Sequence, residues 1–387
     1  MSVQSRASHV ITILLVALVL SLSVLACVSC GSSSTSSVSS STQASLQKTL
    51  NEQMAKYKVP GAIVGMWFPA QGNWIVGSGK ANTSTGAAPV PNDKVRIGSI
   101  TKTFTATAVL QLVDQKKLSL DDKLSKYEPQ VPGADGITIR QLLNMTSGLY
   151  NYTDESAFWE AFQKNPTATW QPQQVVNVAT AHPAVFPPGQ KYMYCNTNYI
   201  LLGMIMEKVS GKIAQQLITT GIIDKVGLKN TSFPMNTAMP SPYMHGYIPA
   251  PGEQNGSGKL ADLSIYSPTP FWTAGGMIGN VYDLKTWAQT ISTGKLLSKE
   301  MHAEQLKFMA PNTSSYGLGV MGGPTFLGHS GEVPGYNSSM YYFKASKATS
   351  ITLINRYPST VEGAADQVNT ELIKVMVAAS PKKPAGK

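Results

Sequence analysis

The amino-acid sequence predicts an α+β protein in which one antiparallel sheet, flanked by helices, is built from both ends of the chain. Runs with strand character occur near the two ends, whereas the middle third is richer in helix and loop signals. The middle third is therefore predicted to form an inserted, mainly helical subdomain. A cleft between two such parts is a common place for a small-molecule site.

The predicted elements follow in chain order. Apolar residues at helical spacing predict a helix from Leu46 to Tyr57, which stops at Val59-Pro60-Gly61. Two extended runs joined by a Pro-Ala-Gln-Gly-Asn turn predict a hairpin over residues 62–68 and 74–79. Asn280 predicts a capped start for a helix over residues 281–291. The C-terminal pattern predicts four strands and a closing helix, at residues 317–320, 326–328, 338–343, 350–355 and roughly 361–377.

The composition excludes several classes of protein. Of the 387 residues, 13% are charged and 42% are hydrophobic, which excludes a disordered chain and provides for a sizeable core. The net charge is +10, but the lysines are dispersed and no nucleic-acid-binding signature accompanies them, so nucleic acid is not an expected partner. The positive charge suits an anionic envelope surface. Three cysteines are too few for a disulfide scaffold.

The N-terminal residues predict an export signal. Residues 10–28 form an uncharged, mostly apolar run, and Val24-Leu25-Ala26-Cys27 resembles a bacterial lipobox, in which the signal is cut before a cysteine that becomes lipidated. We therefore expect a signal peptide over residues 1–26, lipid attachment at Cys27 and a Ser/Thr-rich tether over residues 27–45. Cys30 is a second candidate for lipidation. The alternative is an uncleaved anchor helix with a stalk, and both interpretations place the rest of the chain outside the cytoplasmic membrane.

Ser99 and Lys102 form the first chemical motif. They lie one helical turn apart at the start of a predicted helix that extends to about Val113, and Lys102 is the single charged side chain between Ile97 and Val113. A lysine buried in such surroundings either has partners or serves as a base, so the pair supplies a nucleophile and an activating amine. The alternative is an N-capping serine beside a lysine that extends to solvent.

Two further motifs lie later in the chain. The first is Tyr194-Cys195-Asn196, which precedes a helix predicted to begin near Ile200. The Tyr194 phenol could relay a proton and the Asn196 amide could hold Lys102, both in one cleft. The alternative is that Tyr194 packs in the core and Asn196 caps the helix. The segment His329-Ser330-Gly331 lies among the late strands, where the glycine permits close approach of a ligand. The five histidines show no metal-ligand spacing, no phosphate loop or dinucleotide fingerprint occurs, and no cofactor is expected.

In this order, the three motifs resemble those of the serine penicillin-recognising hydrolases, in the branch of class C β-lactamases, D-alanyl-D-alanine carboxypeptidases and related esterases. The resemblance covers a domain over residues 46–378 and leaves a basic tail over residues 379–387. Three further stretches support it, at residues 137–149 (with Met145 where histidine is frequent), 274–277 and 333–336.

The resemblance implies the fold and the role of each residue. Ser99 would be the nucleophile, Lys102 its activating partner, and Tyr194 the group that passes the proton to the leaving group. Asn196 and the segment His329-Ser330-Gly331 would bind the substrate. The backbone N–H groups of Ser99 and Glu332 would form the oxyanion hole. Cys195, where serine is common, is expected to be a buried filler.

Two departures from the family pattern bear on the substrate. His329 replaces the lysine typical of class C β-lactamases, which lowers the expectation of efficient β-lactam hydrolysis. Glu332 shares a strand face with Ser330, and an ionised carboxylate there is expected to repel a substrate's terminal carboxylate. No arginine stands out to bind such a carboxylate.

The sequence thus predicts a hydrolase on the outer face of the cytoplasmic membrane, tethered there by its N-terminal lipid. It would act through a Ser99 acyl-enzyme on a small-molecule or peptide substrate, such as a D-alanyl-D-alanine-type peptide of peptidoglycan or a small ester. A β-lactamase and a non-catalytic ligand-binding or sensor lipoprotein of the same fold are the alternatives.

Overall fold

A seven-stranded antiparallel sheet is built from both ends of the chain. Its strands, in their order across the sheet, are β2 (Gly72–Gly79), β1 (Gly61–Phe68), β11 (Ala348–Ile354), β10 (Tyr336–Phe343), β9 (Phe326–Val333), β8 (Met321–Gly322) and β7 (Ser315–Tyr316). This arrangement confirms the predicted fold class. The first two strands form the predicted hairpin, and their neighbour β11 comes from the other end of the chain.

Beyond this sheet, the α-helices and two small sheets form most of the regular structure in the described residues. The middle region is mainly helical, as predicted. Two-stranded sheets pair β3 (Val95–Arg96) with β6 (Ile278–Gly279) and β4 (Tyr247–Pro249) with β5 (Leu260–Asp262). The α-helices are α1 (Ser40–Lys56), α2 (Thr101–Asp114), α3 (Ile139–Leu143), α4 (Ser156–Lys164), α5 (Pro172–Thr180), α6 (Asn196–Ser210), α7 (Ala214–Ile218), α8 (Asp224–Val226), α9 (Trp272–Gly275), α10 (Val281–Thr293), α11 (Lys299–Gln305) and α12 (Ala364–Ala378).

The sheet separates two apolar cores, because successive side chains of a strand point to opposite faces. On one face, Val64 and Met66 of β1 pack with α1 and α12. On the other face, Ile63 joins the larger core that includes α2, α6 and α10. The predicted cap of α10 is confirmed, since the Asn280 side chain accepts a hydrogen bond from the Asp283 N–H at 3.0 Å. The sheet therefore carries the helical region, with its cleft, on one side only.

This computed structural model describes residues 37–253, 258–309, 315–358 and 363–379. The predicted signal peptide, both candidate lipidation sites Cys27 and Cys30, and all but the first residue of the predicted basic tail lie outside these ranges. No helix within them is long and apolar enough to cross a membrane.

The predicted tether is too long at its C-terminal end. The first helix begins at Ser40 rather than Leu46, and the Ser39 hydroxyl caps it by accepting a hydrogen bond from the Thr42 N–H. Val38 is buried in the core beside α1. Serine and threonine have low helix propensity in helix interiors but are favourable at helix starts. The Ser/Thr-rich composition alone therefore did not indicate where this helix begins.

Two other boundaries also differ from the prediction. Residues 317–320 form a turn between β7 and β8 rather than a strand, because Gly319 has φ +78° and the chain reverses there. Helix α6 begins at Asn196 rather than near Ile200. Its first N–H is bound by the Asn151 side-chain oxygen at 2.9 Å, a contact with a residue far away in sequence.

Candidate active site

Ser99 lies in a single turn of 3-10 helix, Gly98–Ile100, that leads directly into α2. Gly98 has φ +54°, and a Cβ atom there would lie 2.6 Å from the Glu332 nitrogen. Glycine is therefore required for the nucleophile segment to pack against β9. The helix after Ser99 confirms the predicted one-turn spacing to Lys102, and Ser99 itself remains partly exposed to solvent.

Lys102 is completely buried and is surrounded by oxygen atoms. Its Nζ atom lies 2.9 Å from Ser99 Oγ, 2.7 Å from Asn196 Oδ1 and 2.7 Å from the Ala274 carbonyl oxygen. A buried amine needs such partners, and one of them is the hydroxyl that it would activate. The predicted contacts of Lys102 with Ser99 and Asn196 are present. The alternative of a lysine that extends to solvent is excluded by its burial.

Asn196 is held in one orientation by three contacts. Its backbone N–H donates to Asn151 Oδ1, its Nδ2 atom donates to Thr153 Oγ1 at 2.9 Å, and its Oδ1 atom is left to accept from Lys102. Asn151, Thr153 and Ala274 were not predicted as site residues. Asn151 and Thr153 directly follow residues 137–149, the stretch that resembles the family. Their position in the sequence could have indicated a place in the site, whereas their residue types could not.

Tyr194 lies beside Lys102 at the entrance to α6. The Lys102 Nζ atom is 4.9 Å from the centroid of the Tyr194 ring. The neighbouring Cys195 is buried and donates to the Leu149 carbonyl, and burial raises the pKa of its thiol to about 11. Cys195 is therefore a buried filler, as predicted, and its thiol keeps its proton. Met145, in place of the frequent histidine, contributes its sulfur atom as acceptor for the Cys195 N–H at 3.4 Å.

His329 is buried beneath the tyrosines of the site. Its Nδ1 atom lies 2.5 Å from the Ser330 carbonyl oxygen, and its Nε2 atom lies 2.9 Å from the Tyr316 hydroxyl. Burial raises the pKa of Tyr316 well above its ordinary value, so this phenol keeps its proton. Because a carbonyl oxygen can only accept, Nδ1 is the donor to Ser330, and Nε2 is paired with the Tyr316 hydroxyl. Direct contact of His329 with substrate stays a prediction.

Gly331 brings β9 into contact with the nucleophile segment. A Cβ atom at Gly331 would lie 2.0 Å from the Ile97 carbonyl oxygen, which also accepts a hydrogen bond from the Ser338 hydroxyl. The Glu332 nitrogen is likewise adjacent to Gly98. The backbone N–H groups predicted to form the oxyanion hole thus come from two segments that pack tightly together. Their function in binding an oxyanion stays a prediction.

The prediction that the Glu332 carboxylate repels a substrate carboxylate is wrong. The Glu332 carboxylate accepts hydrogen bonds from Asn337 Nδ2 at 2.9 Å and from the Gly363 N–H at 2.7 Å. Both partners lie on the α12 face of the sheet, opposite the cleft. Ser330 does share this face, as predicted, because its cross-strand neighbour Ser339 is hydrogen-bonded to α12. Substrate binding by the Ser330 hydroxyl stays a prediction, although its side chain points toward α12.

The three arginines in the described ranges have other partners. Arg96 and Arg356 are buried within the fold, and Arg140 takes part in an ion-pair cluster near the surface. Their partners are the carbonyl oxygens of Ser264, Tyr266 and Lys58 and the carboxylates of Asp121 and Glu304. Within those ranges, no guanidinium group is directed at Ser99 to bind a substrate carboxylate.

Comparison with known proteins shows the family of this chain. The family model described as Beta-lactamase matches residues 46–373. This chain therefore belongs to the β-lactamase family. Family members with this fold are serine hydrolases, among them amidases and peptidases.

Curated relatives and solved structures give the range of activities around this β-lactamase-family chain. A β-lactamase of Lysobacter lactamgenus is 29% identical over 69% of this chain and 62% of its own length. A D-aminopeptidase of Brucella anthropi is 24% identical over 82% of this chain and 59% of its own length. The chain thus spans about three fifths of these relatives. A crystal structure of a D-stereospecific amidohydrolase from Streptomyces sp. is 31% identical, with a TM-score of 0.75, and the alignment covers 84% of this chain and 98% of that one.

Proposed function

We propose that this protein is a serine amide hydrolase that forms an acyl-enzyme on Ser99 and cleaves amides of D-configured amino acids or short peptides. The observation that carries this proposal is the burial of Lys102, with its Nζ atom 2.9 Å from Ser99 Oγ. Deprotonated Lys102 accepts the hydroxyl proton as Ser99 Oγ attacks the amide carbonyl. Asn196 and the Ala274 carbonyl then stabilise the ammonium group that forms.

The remaining steps use the other groups of the site. The backbone N–H groups of Ser99 and Glu332 stabilise the oxyanion of the tetrahedral intermediate. As this intermediate collapses, the C–N bond breaks, and Tyr194 delivers a proton from Lys102 to the leaving amine. A water molecule then attacks the ester on Ser99, giving the carboxylic acid and regenerating the hydroxyl.

Two features support amides without a terminal carboxylate as preferred substrates. The described arginines have partners elsewhere, and both ring nitrogens of His329 are engaged by the Ser330 carbonyl and the Tyr316 hydroxyl. Within the described residues, neither a guanidinium group nor this imidazole is therefore available to bind a carboxylate. Similarity to the D-stereospecific amidohydrolase and the D-aminopeptidase supports D-configured substrates. Because the Glu332 carboxylate points away from the cleft, it does not repel peptide carboxylates and gives no reason to prefer ester substrates over peptides. D-alanyl-D-alanine-type peptides of peptidoglycan and β-lactams rank below simple D-amides.

A panel of substrates tests the proposed activity on the full-length chain in mild detergent. We expect release of ammonia from D-phenylalanine amide at least about tenfold faster than from L-phenylalanine amide, because a chiral pocket places only one enantiomer for attack. A D-alanyl-D-alanine peptide and benzylpenicillin are compared in parallel, with intact protein mass recorded for each. Faster turnover of either carboxylate substrate would contradict the proposed preference. No turnover and no adduct with any substrate would favour the non-catalytic sensor alternative.

We also propose that the protein is exported and anchored by a lipid on Cys27, as the lipobox-like sequence predicts. Cells that produce the full-length chain and incorporate a palmitate label should label the wild type and release the Cys27→Ala variant from the membrane fraction. Cys195→Ala is the matched control, because its thiol is buried inside the domain. Loss of label in Cys30→Ala instead would move the attachment site, and persistence of label in both variants would contradict lipidation at this motif.

A further inference from the structure

The carboxylate of Glu332 links the strand that borders the cleft to the last helix of the chain. Glu332 lies near the end of β9, and its Oε1 atom accepts hydrogen bonds from Asn337 of β10 and from the Gly363 N–H, directly before α12. The side chain is only partly exposed. These contacts lie on the α12 face of the sheet, whereas the Glu332 backbone nitrogen faces the nucleophile segment.

The start of α12 depends on these contacts with the sheet. Its N-cap residue is Gly363, which has φ +68° and no side chain to bind the first N–H groups. The Glu332 carboxylate binds the Gly363 N–H, and Asn337 Oδ1 accepts from the Ala365 N–H at 3.2 Å. A negative charge is favourable at the N-terminus of a helix. The helix and the end of β9 therefore hold each other in place.

A buried tyrosine lies on the same face of the sheet. Burial raises the pKa of Tyr341 of β10 well above its ordinary value, and the nearby Asp366 carboxylate of α12 raises this pKa further. Ser330 and Glu332 flank Gly331, and the Glu332 carboxylate fixes the backbone on one side of this glycine to α12.

The cleft side of the same backbone has little freedom to move. A Cβ atom added at Gly98 would lie 2.6 Å from the Glu332 nitrogen, and one added at Gly331 would lie 2.0 Å from the Ile97 carbonyl oxygen. An oxyanion-hole donor has to lie within roughly 2.7–3.1 Å of the oxyanion. Displacement of a reacting group by about 1 Å can cost on the order of a hundredfold in rate. A small shift of β9 would therefore lower the reaction rate.

We infer that Glu332 is a positioning residue, whose carboxylate anchors the end of β9 to α12 so that its own backbone N–H is held in the oxyanion hole. This inference rests on the proposed acyl-enzyme chemistry at Ser99. The Glu332 side chain would thus anchor β9 on the α12 face of the sheet, whereas the Glu332 backbone N–H would bind the oxyanion in the cleft. A purely structural cap of α12 would affect stability without a specific effect on turnover.

The test compares kcat and KM of Glu332 variants of the full-length protein with p-nitrophenyl acetate, an activated ester that reports acyl transfer to Ser99 whatever the natural substrate. Glu332→Ala should lower kcat about tenfold to a hundredfold with KM changed less than about threefold, because the lost interaction acts in the transition state. Glu332→Gln, whose amide oxygen can accept the same hydrogen bonds, should restore most of kcat. Glu332→Asp, which keeps the charge but shortens the side chain, should give an intermediate kcat and serves as the readout if Glu332→Ala does not fold.

Asn369→Ala is the control for loss of stability. Asn369 is buried in the middle of α12, and its side chain bonds to Ser339 and Ser350 of the sheet. We expect a lower urea midpoint for Asn369→Ala with kcat within about twofold of wild type. An unchanged kcat in Glu332→Ala, or an equal loss of kcat in Asn369→Ala, would overturn the positioning role. A wild-type protein that leaves the ester intact would overturn the acyl-enzyme proposal and this inference together, whereas failure of the amide panel alone would affect only the proposed substrate.

Discussion

Replacing Ser99 by alanine is expected to abolish acyl-enzyme formation and to lower turnover of D-phenylalanine amide by roughly 10³- to 10⁶-fold. The reason is that Ser99 Oγ is the hydroxyl within 2.9 Å of the buried Lys102 amine. The variant should fold, because Lys102 keeps its contacts with Asn196 and the Ala274 carbonyl. Steady-state rates, intact protein mass after incubation with substrate, and thermal unfolding provide the measurement.

The control for this experiment is Ser84→Ala, an exposed serine in the loop after β2 that bonds only locally to Asn82. Its turnover should stay within about twofold of wild type, because surface substitutions away from special contacts have small effects. Full activity of Ser99→Ala, or a mass adduct that persists in this variant, would refute the assignment of Ser99 as the nucleophile. Loss of activity with loss of the folded state would require comparison at a temperature where both variants are native.

Local spacing was sufficient to predict part of the site. Ser99 and Lys102 are three residues apart in one helix, so their contact follows from helix geometry. The contact between Lys102 and Asn196 was predicted from the chemistry of the amide, and the structure shows it at 2.7 Å. The third partner of Lys102, the Ala274 carbonyl, could not be predicted from a side chain, since every residue has a carbonyl group.

Long-range geometry explains the main error about Glu332. Alternation along a strand correctly placed Ser330 and Glu332 on one face. Alternation along the strand does not show which face of β9 borders the cleft, because that depends on how helices from both ends of the chain cover the sheet. With α1 and α12 on one face and the helical region on the other, both side chains point to α12, and the expected barrier to substrate carboxylates disappears.

The same distinction holds for the fold. The hairpin and the capped helix α10 depend on signals within a few residues, and both were predicted correctly. The turn at residues 317–320 has the apolar pattern of a strand because Leu318 and Val320 are apolar, yet they are buried without pairing in the sheet. Burial by tertiary packing produces the same apolar pattern as a strand, so the pattern alone could not separate them.

Lys102→Met is the second substitution with a large expected effect, because it keeps the length of the side chain but removes the base. The Ser99 hydroxyl then has no amine to accept its proton, and we expect at least about a thousandfold loss of turnover through slower acylation. Asn196 Oδ1 and the Ala274 carbonyl lose a buried donor, at a cost of about 1–3 kcal/mol for each unsatisfied acceptor. Removal of a buried amine offsets part of this cost. Rapid-mixing measurements of acylation and urea unfolding separate the two effects.

The size of the stability change, measured together with turnover, distinguishes the two functions that a buried lysine can have. If Lys102 is retained for catalysis, Lys102→Met should lose turnover while its free energy of unfolding stays within about 2 kcal/mol of wild type, because lost hydrogen bonds and relieved desolvation have opposite signs. If Lys102 is retained for folding, the variant should unfold and turnover at matched folded concentration should persist. Lys48→Met, at an exposed position on α1, should change neither quantity. Turnover within tenfold of wild type in folded Lys102→Met would exclude Lys102 as the base.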